Sequence, residues 1–136
     1  MGVFLTLFTG EGCAQIASNV ENVQTVREDI KELKFKYPDL VLRMVMLESG
    51  FLTSNLAVNY NNILGMKIAK QRFTVAIGST DSGFAVYKSY RECLIDFKVW
   101  ETRYTKGMSK SQYIKYLNKV YAPNQNYFQK LQGISK

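Results

Sequence analysis

The sequence predicts an α+β domain that is mostly helical, with one small β-hairpin lobe. Three observations carry that expectation. Apolar residues recur at helical spacing in residues 19–36 and again from residue 90 to the C-terminal region. Residues 39–47 form a nearly unbroken apolar run. Only residues 71–77 and 84–88 alternate in the manner of strands. At 136 residues the chain has material for one core, so residues 1–136 are expected to form a single domain.

The first helix is read from Val20, Val23, Val26, Ile30 and Leu33, with Arg27, Glu28, Asp29, Lys31 and Glu32 as a solvated face. Pro38 suits the first turn of a second helix and Gly50 its end, and the apolar run between them predicts burial on all sides. Ser54 can cap a short helix reaching Asn59. The segments Gln71–Ile77 and Phe84–Lys88 flank Gly78–Gly83, a stretch of turn formers, and predict the hairpin. Ser89-Tyr90-Arg91-Glu92 is a capping box, opening a helix with Leu94, Phe97, Trp100 and Tyr104 on one face and Lys106-Gly107 at its end. Ser109 or Ser111 starts a further helix with Tyr113, Ile114, Leu117, Val120 and Tyr121 inward. Asn124 is expected to cap a last helix carrying Tyr127, Phe128 and Leu131 and closing near Gly133.

Composition narrows the chemistry. The chain has no histidine, which removes Ser–His and Cys–His nucleophile pairs and the usual zinc sites. Acid–base work would fall to carboxylates, lysine or tyrosine. Two cysteines, Cys13 and Cys93, build neither a disulfide framework nor a metal site, and read as small buried hydrophobes. No cofactor or metal is expected. A net charge of +7 favours polyanionic partners. The Lys and Arg residues are scattered rather than gathered into a block, so nucleic acid is not expected. No window reaches the roughly 18 apolar residues needed to span a bilayer. The apolar N-terminus is short and lacks a preceding basic residue, which argues against a secretory signal peptide.

Glu48 ends the apolar run in Met46-Leu47-Glu48-Ser49-Gly50-Phe51. A carboxyl group at the apolar end of a buried helix has its ionised form disfavoured, which suits a general acid. An ordinary solvated glutamate at a helix C-terminus is the competing reading, and the blocks that follow weigh against it.

Four blocks in order resemble the bacterial glucosaminidases, cell-wall hydrolases that include flagellar and autolytic N-acetylglucosaminidases. Leu47-Glu48-Ser49-Gly50-Phe51 is similar to the catalytic L-E-S-G-W motif. Asn61-Asn62-Ile63-Leu64-Gly65-Met66-Lys67 resembles N-N-L-F-G-I-K. Phe84-Ala85-Val86-Tyr87-Lys88-Ser89 resembles F-R-K-Y-D-S, and Tyr121-Ala122-Pro123-Asn124-Gln125-Asn126-Tyr127 resembles Y-A-T-D-P-N-Y. The matched core spans about residues 40–134. The resemblance implies a lysozyme-like α-lobe and a small β-hairpin lobe flanking a groove for glycan. It makes Glu48 the catalytic acid of a peptidoglycan hydrolase, an endo-β-N-acetylglucosaminidase cutting β-1,4 bonds. It also puts Phe51, Asn61, Asn62, Tyr87 and Tyr121 against substrate.

Some positions depart from the family pattern. The segment 68–86 holds one acid, Asp81, so the second catalytic carboxylate is Asp81 or is replaced by the substrate's own acetamido group. Phe51 stands for the usual tryptophan and Asn124 for an aspartate. Lytic transglycosylases and goose-type lysozymes share Glu-Ser before Gly-Phe but continue into G-L-M-Q, which Asn61–Lys67 replaces. A muramidase or transglycosylase, and an inactive wall-binding module of the same fold, stand as alternatives. The expected partner is the peptidoglycan glycan strand, with virion or cell-envelope assembly partners as a further possibility. The expected place of action is the bacterial cell wall, as a phage virion-associated or released lysin rather than a classically secreted protein.

Overall fold

A computed structural model describes residues 19–121 and 126–134. Helix α1 covers residues 19–32, followed by α2 (Pro38–Glu48), α3 (Asn55–Tyr60), β1 (Gly78–Ser79), β2 (Ala85–Val86), α4 (Tyr90–Tyr104), α5 (Lys110–Tyr121) and α6 (Tyr127–Gln132). The chain is mostly helical with one two-stranded antiparallel sheet.

Helix α2 is the axis of the core. Leu40, Val41, Leu42, Met44, Val45 and Met46 are all buried, so the helix is covered on every side, as its apolar run predicts. Val26 and Ile30 of α1, Cys93, Leu94 and Phe97 of α4, Tyr113 and Leu117 of α5, and Tyr127 and Leu131 of α6 complete one core. Val20 stays outside it, 64% exposed.

The caps follow local chemistry. Ser54 and Ser89 accept hydrogen bonds from the amides of Ala57 and Glu92. Ser109 supplies the cap of α5: its hydroxyl accepts from Gln112 N–H at 3.2 Å, and Gln112 Oε1 accepts from Ser109 N–H at 2.8 Å. Helix α6 is capped by Asn126, whose side chain accepts from Gln129 N–H. The expected cap, Asn124, lies outside the described residues, as does Cys13.

The β-lobe is the expected antiparallel hairpin, with strands shorter than the sequence predicts and the first one shifted to Gly78–Ser79. Its central strand pairs on both sides: Ala85 N–H donates to Met66 O at 2.9 Å, and Ile77 N–H donates to Val86 O at 2.8 Å. The turn is Thr80–Gly83, closed by Gly83 N–H to Thr80 O at 2.9 Å with Gly83 at φ +86°. Residues 71–77, expected as a strand, form no strand. Within them the alternation is inverted, with the Arg72 side chain 5% exposed and Phe73 71% exposed. Arg72 reaches inward to Asp96 of α4, and that ion pair overrides the strand propensity of its neighbours.

Asn62 joins the lobes. Its Nδ2 donates to Met66 O and Ala85 O, each at 2.9 Å, and its Oδ1 accepts from Met66 N–H at 2.9 Å. Three backbone groups of the β-lobe are thereby satisfied by one buried carboxamide.

Candidate active site

Glu48 is the last residue of α2, and the turn after it decides where its carboxyl points. Phe51 N–H donates to Met46 O at 2.9 Å and Gly50 N–H to Leu47 O at 3.4 Å, a Schellman closure with Gly50 at φ +56°. The chain stays left-handed through Phe51 (φ +58°) and Leu52 (φ +66°), two non-glycine residues in a costly conformation. Ser49 holds this turn from inside. Its buried hydroxyl donates to Val45 O at 2.5 Å and accepts from Leu52 N–H at 2.9 Å, while burial of Leu52 anchors the far end. The Glu-Ser-Gly-Phe sequence thus builds a rigid platform directly behind the carboxylate.

That carboxyl opens into a cleft of about 630 Å³, a size that accepts a small ligand or part of a polymer. One wall is the extended segment from Gly65 to Arg72. The other is aromatic, with Trp100 and Tyr104 from α4 and Tyr116, Val120 and Tyr121 from α5. Trp100 and Tyr116 stack, with centroids 5.7 Å apart and planes at 15°. Gly65 lies so close to Glu48 that a β-carbon there would sit 3.5 Å from Oε2, and its φ is +62°.

Burial raises the Glu48 carboxyl above its ordinary range. The neighbouring Tyr127 hydroxyl and the Lys130 ammonium oppose the shift without cancelling it. Tyr121 and Tyr127 stack at 5.4 Å, and burial followed by the Glu48 charge pushes both phenols up, so both remain neutral donors. Tyr121 reaches the cleft, and its hydroxyl lies 3.7 Å from Met66 Sδ.

Below the cleft lies a network that the sequence reading missed. Arg72 donates twice to Asp96, at 2.7 and 3.2 Å, and the Tyr87 hydroxyl donates to the same carboxylate at 2.5 Å. Burial acts to raise Asp96, but bonds from Arg72, Tyr87 and Thr74 outweigh it and hold the carboxylate below its usual range. Asp96 is therefore ionised, and Arg72 lies in the cleft wall with its charge already matched.

The expected site residues divide. Glu48 and Tyr121 meet in the cleft. Tyr87 is 1% exposed with its hydroxyl on Asp96, so it supports the floor and offers no surface to a ligand. Asn62 is buried in the lobe junction. Asn61 is the left-handed C-cap of α3 (φ 55°) and donates to Tyr87 O at 2.9 Å. Phe51 is 51% exposed on the turn behind Glu48. Asp81 is exposed in the Thr80–Gly83 turn, and Glu48 is the only carboxylate among the described residues lining the cleft. Trp100, Tyr104 and Val120, expected to face inward, lie on the cleft wall. Aromatics four residues apart on a helix with polar neighbours were the available signal, but the same spacing also serves a core.

Among the described residues, no three His, Cys, Asp or Glu side chains come together as a metal site would require. No helix there is long and apolar enough to cross a membrane.

Comparison with known proteins bears on the fold and the family. The catalytic domain of the autolysin Auto from Listeria monocytogenes superposes with a TM-score of 0.54 at 22% identity, over 87% of this chain and 80% of that one. A chain from a type VI secretion system effector–immunity complex of Pseudomonas protegens superposes with a TM-score of 0.59 at 15% identity, over 84% of each. At these identities the likeness speaks for the fold. No significant match was found among curated proteins. The family model Glucosaminidase, described as mannosyl-glycoprotein endo-beta-N-acetylglucosaminidase, matches residues 23–136. With that match running through the Glu48 turn, the cleft walls and α6, the chain belongs to the glucosaminidase family of glycoside hydrolases.

Proposed function

We propose that this protein hydrolyses β-1,4 glycosidic bonds of peptidoglycan as an endo-β-N-acetylglucosaminidase, with Glu48 as the general acid. The observation that carries the reading is a carboxyl whose pKa is raised by burial, facing a cleft whose opposite wall is a stacked aromatic pair. Flat apolar rings suit the faces of sugars, and the raised carboxyl can give its proton to the leaving glycosidic oxygen as positive charge develops at the anomeric carbon. A proton transfer of this kind contributes ~10²–10⁴-fold to rate.

The second role falls to the substrate's 2-acetamido oxygen. It attacks the anomeric carbon as the bond to the leaving oxygen breaks, and water later opens the resulting ring. Asp81 is the alternative base, acting on water from the turn of the β-lobe. Tyr121 would steady the reacting sugar with its neutral hydroxyl, and Phe51 would extend the aromatic surface beyond the cleft. Asn61, Asn62 and Tyr87 act by holding the walls. The positive charge suits an anionic wall. The cell wall is the proposed place of action, delivered as a phage lysin or in a virion or envelope assembly.

Digestion of purified sacculi followed by mass spectrometry of the fragments tests the reading. Reducing-end N-acetylglucosamine is expected. Reducing-end muramic acid would identify a muramidase, an anhydro ring a transglycosylase, and intact sacculi a non-catalytic wall module.

A further inference from the structure

The aromatic wall of the cleft does not end at Tyr116. A second groove of about 500 Å³ continues from that residue, lined by Lys106, Met108, Gln112, Lys115 and Lys119. Gln112, Lys115, Tyr116 and Lys119 are spaced by three, one and three residues along α5, which gathers them on one helical stripe. Lys106 faces them from the turn after α4, where Gly107 adopts φ +77°.

Three ammonium groups therefore share one concavity that no acid lines. Lys115 and Lys119, four residues apart, repel each other on the helix surface. Other lysines in this part of the molecule are used by the fold. Lys36 Nζ donates to Met108 O at 2.6 Å, and Lys98 Nζ donates to Lys34 O at 2.8 Å. Glu101, the nearest acid to Lys106 in sequence, is already committed to Tyr113 at 2.8 Å and Lys98 at 3.3 Å. Among the described residues, no hydrogen bond or ion pair joins the ammonium groups of Lys106, Lys115 or Lys119 to any group.

We propose that this groove is a carboxylate-binding subsite that takes the peptide stem carried by the glycan, and so makes peptide-bearing strands the preferred substrate. The inference rests on the hydrolase reading above. A strand lying on Trp100 and Tyr116 carries a short acidic peptide on alternate sugars, and the groove begins where the aromatic wall ends. Lysine ammonium groups act as mobile point charges rather than rigid forks, which fits the carboxylates of a flexible peptide.

The test compares wild type with the triple variant Lys106→Gln, Lys115→Gln, Lys119→Gln. The substrates are sacculi freed of wall polyphosphates and the same glycan stripped of its peptides by an amidase. Wild type is expected to cut the peptide-bearing glycan about tenfold better in kcat/KM, through KM, and the variant to lose that preference while cutting stripped glycan at the wild-type rate. Equal wild-type rates on both substrates, a preference that survives in the variant, or a loss on both alike would each overturn the subsite.

A binding arm holds even without hydrolysis. Calorimetry with a soluble disaccharide-peptide and its peptide-free disaccharide should show the peptide strengthening binding to wild type and not to the variant. If neither glycan is cut but this difference appears, the hydrolase reading fails and the subsite stands. If a polyglycerol phosphate competes through these lysines while the peptide adds nothing, the groove serves a wall polyphosphate and the proposal is wrong.

Discussion

The Tyr127 hydroxyl is buried beside the Glu48 carboxyl, yet it closes no well-formed hydrogen bond with that group or with any other described residue. An unpaired buried donor costs about 1–3 kcal/mol, so its retention next to an acid calls for a reason. A phenol in this position favours the carboxylate that remains after proton transfer, more than the carboxyl that precedes it.

Tyr127→Phe removes that donor and should push the Glu48 pKa further up. An acid catalyst is active while protonated, so activity falls as pH rises through its pKa. The alkaline limb of the kcat profile is expected to move to higher pH in the variant. A limb that stays in place or moves down would show that Tyr127 does not act on Glu48.

Glu48→Gln is expected to keep the fold and lower turnover ~10²–10⁴-fold. Its stability has a definite pH signature. The folded-state pKa of Glu48 lies above the ordinary 4.5, so above that value the folded protein binds more protons than the unfolded chain, and stability declines as pH rises through the window. Glutamine carries no such penalty. The variant should match wild type near pH 4 and exceed it modestly at about pH 7 in urea denaturation, again by proton linkage. Turnover above about a tenth of wild type on sacculi would remove Glu48 from its proposed role.

Arg72→Ala leaves the Asp96 carboxylate buried without its cation and should cost ~3–5 kcal/mol at neutral pH. In wild type the Asp96 pKa is depressed below 3.8, so its contribution is present above that value and is lost as pH falls through the depressed one. In the variant the lone carboxyl protonates more readily. The stability gap between the two proteins is expected to narrow on acidification, which denaturation at neutral and acid pH would reveal.

Asp81→Asn should be mild, because Asp81 sits on an exposed turn and does not line the cleft. Proton NMR of the fresh product should show a retained anomer, as participation of the acetamido group requires. A crippled variant and an inverted product would instead make Asp81 the base.

Phe51→Gly separates stability from binding. The left-handed backbone at Phe51 costs about 1–2 kcal/mol for an L side chain, and glycine relieves it against an unfolded-state entropy of about 0.5–1 kcal/mol. The melting temperature should hold or rise while KM increases severalfold and kcat stays constant. An unchanged KM would mean that the exposed ring touches no sugar.

The helices were legible in the sequence because their signals are local. Apolar spacing, Pro38, and the Ser54 and Ser89 caps each act within a few residues, and the Glu48 turn is written in Ser49 and Gly50. The β-lobe was harder to read. Residues 71–77 have strand composition, but Arg72 finds its partner 24 positions away on α4. Asp96 and Glu101 are charged residues buried on the core side of a helix, and partners outside that helix, Arg72 and Tyr87 for Asp96 and Tyr113 for Glu101, help make that tolerable. The same limit hid the cleft wall. Trp100 and Tyr116 belong to different helices, and nothing in either helix alone announces that they stack.

The carboxamide of Asn62 has a mechanical meaning for the cleft. Its three hydrogen bonds clasp Met66 and Ala85, and Met66 lies in the wall facing the aromatic helices. The mouth of the groove therefore has its gauge set at a joint rather than along a sliding surface. Leucine would fill the same space with no donor for two carbonyls, and aspartate would turn a carboxylate toward them. A jaw pinned at one amide can be lost by one substitution, but it cannot drift.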